Sequence, residues 1–144
     1  MSSHRLMALA TTLVVCLVCS CGSHDPIAGT WQRTDDEFAG AVVNVEKIRG
    51  EYYGKLLQVP DTMRHWGFVV GDVKWRDIVP VTKRDRNRRY MGKDLFKFVS
   101  DGQIVETRYN DAMMELTSKD ALRLRLLAKG EEVIGTEQHW RKTR

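Results

Sequence analysis

The side chains that could carry acid–base chemistry in this sequence are four histidines and carboxylates scattered among lysines and arginines. The pair with a usable spacing is Glu137 and His139. Residues two apart point to the same face of a β-strand, so these two side chains could meet as an acid and a base. The same spacing also suits a salt link on a solvent-facing surface, which is the commoner arrangement.

The sequence lacks the common catalytic and metal-binding motifs. It contains neither a Gly-x-Ser-x-Gly nucleophile elbow nor a His-Glu-x-x-His zinc motif. All three cysteines lie at or before position 21, so the remaining chain has no thiol for catalysis, metal binding or a disulfide. The 23 Lys and Arg nearly balance the 19 Asp and Glu, which is unlike a nucleic-acid-binding protein. We therefore expect no enzyme, no metal, no cofactor and no nucleic-acid partner.

The N-terminal segment 1–20 has the features of a secretion signal. A short head carries Arg5, and an apolar run follows from Leu6 to Val18. That run of roughly 13 residues is too short for a membrane span, which needs about 20, and fits the apolar region of a signal peptide. We expect this segment to direct export.

Val18-Cys19-Ser20-Cys21 resembles a lipobox, the processing site of bacterial lipoproteins. The resemblance implies cleavage before Cys21, attachment of lipid to that cysteine and a membrane anchor; the alternative is an ordinary signal with nearby cysteines. Gly22, rather than Asp, follows the cysteine. In a Gram-negative cell this implies the outer membrane, with the protein facing the periplasm. We expect a lipidated tether over 21–26 and one domain over 27–144.

The segment 83–89 is the most basic stretch of the chain, with five basic residues in seven. Basic side chains near an anionic membrane each contribute roughly 1 kcal/mol to binding. The segment could therefore contact lipid headgroups or cell-wall polymers beside the anchor. Alternatively, it is a solvated turn that prevents strands from pairing edge to edge. The candidate contact residues are Arg84, Arg86, Arg88 and Arg89.

Strand patterns dominate the domain, and no segment has the pattern of an amphipathic helix. Leu122, Leu124 and Leu126 alternate with arginines, as expected for a strand with one buried face. Asp101-Gly102 predicts a hairpin turn, and Asn110-Asp111 predicts another turn. About eight to ten short strands predict an all-β fold, either an antiparallel up-and-down barrel or a related β-sandwich. The predicted strands are 27–33, 41–48, 52–59, 67–70, 73–81, 90–99, 103–109, 113–117, 122–126 and 133–141.

The first and last strands resemble those of lipocalin-like barrels. Gly29-Thr30-Trp31 has the Gly-x-Trp form that begins such barrels, and the last strand ends in Trp140-Arg141. The resemblance implies that Arg141 packs over Trp31 as a cation–π pair. The wider layout of 27–141 is similar to small secreted bacterial domains of unknown function, which implies a fold and no chemistry.

Aromatic side chains could line a pocket for a small apolar ligand. The candidate ligand-binding residues are Trp31, Tyr53, Trp75, Tyr109, Gln138 and Trp140. The alternative is that the aromatic residues only fill the core. Trp66 and Phe68, in a segment flanked by Pro and Gly, are candidates for capping one mouth of a barrel.

We therefore expect a membrane-anchored lipoprotein of the cell envelope whose non-enzymatic domain binds a small apolar ligand or an envelope component. The rival interpretation is a structural or protein-interaction lipoprotein, such as an assembly accessory or inhibitor, with a filled barrel. A cavity of about 300 Å³ or more would favour ligand binding.

Overall fold

The computed structural model describes residues 25–82, 88–127 and 137–144. Eight antiparallel strands follow one another around a closed up-and-down barrel, which confirms the predicted all-β class and selects the barrel over the sandwich. The first and last strands close it, with Trp31 opposite Lys142 and Arg33 opposite Trp140. The strands are β1 (Gly29–Arg33), β2 (Val42–Ile48), β3 (Glu51–Gln58), β4 (Val73–Pro80), β5 (Arg89–Ser100), β6 (Gln103–Ser118), β7 (Ala121–Leu126) and β8 (Gln138–Lys142).

The barrel has two distinct ends. The base carries residues 25–28, the turns 49–50 and 119–120, and residues 143–144. The mouth carries the loops 34–41 and 59–72, and the hairpin of β5 and β6 extends past it to the turn Asp101-Gly102. Both residues of that turn have positive φ, 52° and 73°, as expected for a tight hairpin turn at the predicted dipeptide.

One predicted turn is wrong. Asn110 and Asp111 lie inside the continuous 16-residue strand β6. They pair with Asp94 and Lys93 of β5, and the Lys93 ammonium is 2.8 Å from the Asp111 carboxylate. β5 pairs with both residues, and on the other side the Leu127 N–H donates to the Asp111 carbonyl at 2.8 Å. This pairing outweighs the local turn preference.

The predicted strand at 67–70 is also wrong. The chain there forms a short helix, α1 (Asp61–Arg64), followed by turns with positive φ at Gly67 and Gly71. The Gly71 N–H donates to the carbonyl of Leu56, so the loop folds back onto β3. The last strand, β8 (Gln138–Lys142), overlaps the predicted strand over 138–141 and ends one residue later, and the predicted residues 133–136 lie outside the described ranges.

The lower interior of the barrel is filled by three tryptophans. Trp31, Trp75 and Trp140 are each at most 2% exposed, and the rings of Trp75 and Trp140 meet edge to face with centroids 4.7 Å apart. Gly54 lies beside this cluster, where a Cβ atom would come within 2.7 Å of Val43. The alternation predicted for β7 is confirmed, with Leu122 and Leu124 buried among these residues.

The cation over the Trp31 ring is Lys142. The resemblance implied Arg141 in this position, and that prediction is wrong. Lys142 Nζ lies 5.3 Å from the Trp31 ring and also donates to the Pro26 carbonyl, 2.9 Å away. Trp31 and Lys142 are cross-strand partners, whereas Arg141 pairs with Gln32 and is exposed. The alternation of the strand therefore places residue 142 on the inner side.

The first described residue is fixed to the base by two tyrosines. The hydroxyl of Tyr90 donates to the Asp25 carboxylate, and Tyr52 makes a second hydrogen bond to it. Burial and these hydrogen bonds raise the pKa of Tyr52 to about 12 and raise the pKa of Tyr90 as well. The hydroxyl proton of each tyrosine therefore lies in a hydrogen bond to the Asp25 carboxylate. Loss of that proton would place two negative charges together.

We expect Tyr90→Phe to lower the free energy of unfolding, measured with denaturant, by about 1.5–3 kcal/mol, because it removes a hydrogen bond to a charged acceptor. Tyr53→Phe is the matched control, because the Tyr53 hydroxyl meets the exposed Glu51. A loss of stability in Tyr53→Phe as large as that in Tyr90→Phe would contradict the expectation.

The contribution of Tyr52 to stability should depend on pH. Since the folded pKa of Tyr52 is raised from its ordinary value of 10.0, its stabilisation is fully present below pH 10 and is lost as the pH rises toward about 12. Denaturant unfolding of the native protein and of Tyr52→Phe should therefore give a difference in stability that shrinks across this window.

Candidate functional site

A buried ion pair lies where the mouth meets the filled part of the barrel. Lys74, the second residue of β4, places its Nζ 2.6 Å from Asp94 Oδ1, and the two side chains are 3% and 0% exposed. The same ammonium donates to the Leu95 carbonyl at 2.8 Å. Burial lowers the pKa of Lys74, and the adjacent Asp94 carboxylate opposes that shift. The pair is thus held in a region where an isolated charge would be very unfavourable.

Gln138 extends this polar group from β8. Its amide nitrogen donates to Asp94 Oδ2 at 3.2 Å. Among the residues that the structure describes, the Gln138 Oε1 atom has no hydrogen-bond partner, although the side chain is only 5% exposed. A buried amide acceptor therefore remains available next to the ion pair.

Arg33 and Phe38 form a second side of the mouth. Arg33 ends β1 and is 6% exposed, and its guanidinium binds Asp36 through two contacts of 2.8 and 2.5 Å. The guanidinium carbon is 5.0 Å from the Phe38 ring and 5.7 Å from the Trp140 ring. Asp36 also accepts the backbone N–H of Phe38, which sets the direction of the loop.

Phe68 lies between two lysines on the third side. Lys74 Nζ and Lys97 Nζ are 5.2 and 5.5 Å from its ring centroid. Lys97 is itself fixed by Asp72 at 2.6 Å and by the Gly67 carbonyl at 2.9 Å. These contacts hold the loop 59–72 against the mouth and keep Phe68 buried.

These groups surround a cavity of about 470 Å³. This volume falls within the range of small-molecule sites, about 300–1,000 Å³, and exceeds the threshold expected for ligand binding. The polar residues of its wall are Arg33, Asp36, Glu37, Lys74, Lys97 and Gln138. Most of the remaining wall is apolar and comes from Phe38, Trp66, Phe68, Leu95, Phe96 and Leu126.

The six candidate ligand residues from the sequence occupy three different environments. Gln138 lines the cavity, while Trp31, Trp75 and Trp140 are packed in the barrel interior. Tyr53 lies half-buried with its hydroxyl on Glu51. Tyr109 donates to the Val73 carbonyl at 2.7 Å, and the Arg76 guanidinium lies 3.8 Å from its ring.

Of the basic and lipidation candidates, the structure describes two arginines. Arg88 and Arg89 are exposed where β5 begins. Arg84 and Arg86 fall outside the described residues, as does Cys21. The two described arginines are thus at the same end of the barrel as Asp25, the residue nearest to Cys21 in the described chain.

The candidate pair Glu137 and His139 does meet, on the outer surface. His139 Nε2 is 2.8 Å from Glu137, and Nδ1 is 2.8 Å from Asp35, so both ring nitrogens face carboxylates. Glu137 also lies 3.6 Å from Arg125, within a charged cluster on the outside of β7. With both nitrogens occupied by carboxylates, this arrangement is that of a surface salt link.

Within the described residues, no group of three or more His, Cys, Asp or Glu side chains is arranged to hold a metal ion. Across the same ranges, no helix has the length and apolar character to cross a membrane. Comparison with known proteins gave no match to a family model, a curated protein or a solved structure.

Removing one member of the buried pair should be costly. We expect Lys74→Met to lower the free energy of unfolding by about 3–5 kcal/mol, because it leaves Asp94 buried without its counterion. The double variant with Lys74→Met and Asp94→Leu should lose less than Lys74→Met alone. Lys93→Met is the matched control, since Lys93 precedes Asp94 and forms a 2.8 Å pair with Asp111 that is 38% and 51% exposed. Denaturant unfolding measures all three; a double variant that loses as much stability as Lys74→Met, or more, would contradict the coupling.

Proposed function

We propose that this protein is a membrane-anchored lipoprotein of the cell envelope whose barrel mouth binds a small, largely apolar ligand without chemical conversion. The observation that carries the proposal is the cavity of about 470 Å³ at the mouth. An aromatic and aliphatic wall with a few fixed polar groups is typical of sites that bind small molecules. Phe38 and Phe68 are each positioned by contacts to buried cations, so much of this wall is already formed.

The position of the base supports the anchor. Cys21 precedes Asp25 by four residues, a distance of at most about 14 Å along an extended chain. Lipid on Cys21 would therefore hold the base close to the bilayer and leave the mouth at the far end. The exposed Arg49, Arg88 and Arg89 near the base would then be able to contact anionic headgroups. Gly22 favours the outer membrane, facing the periplasm, in a Gram-negative cell.

The rival function is protein interaction by a filled barrel. Two observations favour it. The three buried tryptophans fill the lower interior. Several apolar side chains near the mouth are exposed by 49–64%, as expected of a contact surface: Leu57, Val69, Val70, Ile104 and Val105. A test for ligand binding at the mouth distinguishes the two functions, because the protein-interaction function requires no ligand.

Trp66 provides a direct readout of the cavity. It is 43% exposed and lines the cavity, whereas the other three tryptophans are buried. We expect titration of the full chain carrying Cys21→Ser with 1-octanol to shift tryptophan emission to shorter wavelength and to saturate, because the ligand excludes water from the indole. Trp66→Phe should abolish the shift. A folded protein whose emission stays constant up to the solubility limit of octanol would contradict ligand binding and favour the rival.

The anchor is tested by metabolic labelling with palmitate in the producing bacterium. We expect label on the native chain and none on Cys21→Ser, because the lipobox places the modified thiol at that position. Cys19→Ser is the matched control and should still be labelled. Label retained by Cys21→Ser, or lost from Cys19→Ser, would overturn the assignment of the anchor.

A further inference from the structure

We infer that the cavity selects an uncharged ligand with a hydroxyl at its polar end, which donates a hydrogen bond to Gln138. This inference rests on the proposed ligand-binding function and specifies the class of ligand: an alcohol with an apolar body. Two observations lead to it: the fixed orientation of the Gln138 amide and the pairing of the charges around it.

The orientation of Gln138 is set by Asp94. A carboxylate only accepts hydrogen bonds, so the amide nitrogen must face it, and the 3.2 Å contact shows that it does. The carbonyl end of the amide is then directed away from Asp94. Within the described ranges, this Oε1 atom is a buried acceptor without a donor, and Gln138 lines the cavity. An occupant that donates a hydrogen bond would satisfy it.

The charges around the cavity argue against a charged ligand. Lys74 is paired with Asp94, Arg33 with Asp36, and Lys97 with Asp72, at 2.5–2.6 Å in each case. These cations are already neutralised, so a carboxylate entering the cavity would meet their three partner carboxylates and also Glu37, which lines the cavity. An ammonium would meet the three cations, while Glu37 is exposed, so water screens its charge. A neutral polar group avoids both penalties.

A hydroxyl meets the requirement of the amide. It donates a hydrogen bond, whereas an ether oxygen accepts but cannot satisfy Gln138. In the described part of the chain, the indole Nε1 atoms of Trp75 and Trp140 are also buried without a hydrogen-bond partner, but neither residue lines the cavity.

The test compares two isomers, 1-octanol and heptyl methyl ether, which have the same atoms and differ in the hydroxyl donor. Trp66 emission of the full chain carrying Cys21→Ser reports binding of each. We expect 1-octanol to bind about three- to tenfold more tightly than the ether, the range expected for one hydrogen bond. Octanoate and octylammonium at neutral pH should both bind more weakly than 1-octanol.

Gln138→Met, in the same background, keeps a side chain of similar length and removes the amide, so it should abolish the preference for 1-octanol over the ether. Leu126→Met is the matched control, because the Leu126 side chain lines the cavity and carries no polar atom, so this variant should keep the preference for 1-octanol.

Three results would overturn the inference: equal binding of the two isomers to the native cavity, a preference that survives Gln138→Met, or tighter binding of octanoate than of 1-octanol. If neither isomer binds, the proposed function itself fails. The isomer comparison requires no Gln138 variant, so it decides the question even if Gln138→Met does not fold.

Discussion

The buried pair of Lys74 and Asp94 is the interaction on which the arrangement of the mouth depends. Two charges that are almost completely removed from water must find partners, and these partners come from several parts of the chain. Asp94 fixes the Gln138 amide from β8, while Lys74 binds the Leu95 carbonyl and lies against Phe68 of the loop 59–72. An apolar pair could stabilise the same barrel. The ionic pair instead gives the inner side of the mouth a polar group with fixed hydrogen-bond directions.

The fold could be predicted because local pattern and tertiary pairing agree along most of the chain. Leucines alternate with arginines in β7, and Asp101-Gly102 adopts the positive φ angles of a tight hairpin turn. Prediction failed where they disagree. Asn110-Asp111 has turn composition, but pairing with β5 and a hydrogen bond from the Leu127 N–H to Asp111 hold it in β6. The segment 67–70 has strand composition, but the positive φ angles of Gly67 and Gly71 place it in turns.

The cavity was harder to predict than the barrel. The sequence predicts large aromatic residues as ligand contacts, yet Trp31, Trp75 and Trp140 are large enough to fill the interior themselves. Phe38 lies in a loop, so strand periodicity gives no information about where its side chain points. One useful indication was available, since Asp94 is in phase with Tyr90 on an inward-facing series, and a carboxylate there requires a buried partner. Its partner Lys74 is identified only by the three-dimensional pairing of β4 with β5.

The topology also separates the anchor from the cavity. An up-and-down barrel with an even number of strands has both chain ends at one end, here the base, and the cavity lies at the other. If Cys21 carries lipid, the mouth faces away from the membrane, and a ligand must enter from the aqueous side rather than directly from the bilayer. A ligand that travels through water must itself be partly soluble. A short apolar body with one neutral hydroxyl meets that requirement, and it also matches the unused acceptor on Gln138. The position of the anchor and the chemistry of the cavity thus favour the same class of ligand for independent reasons.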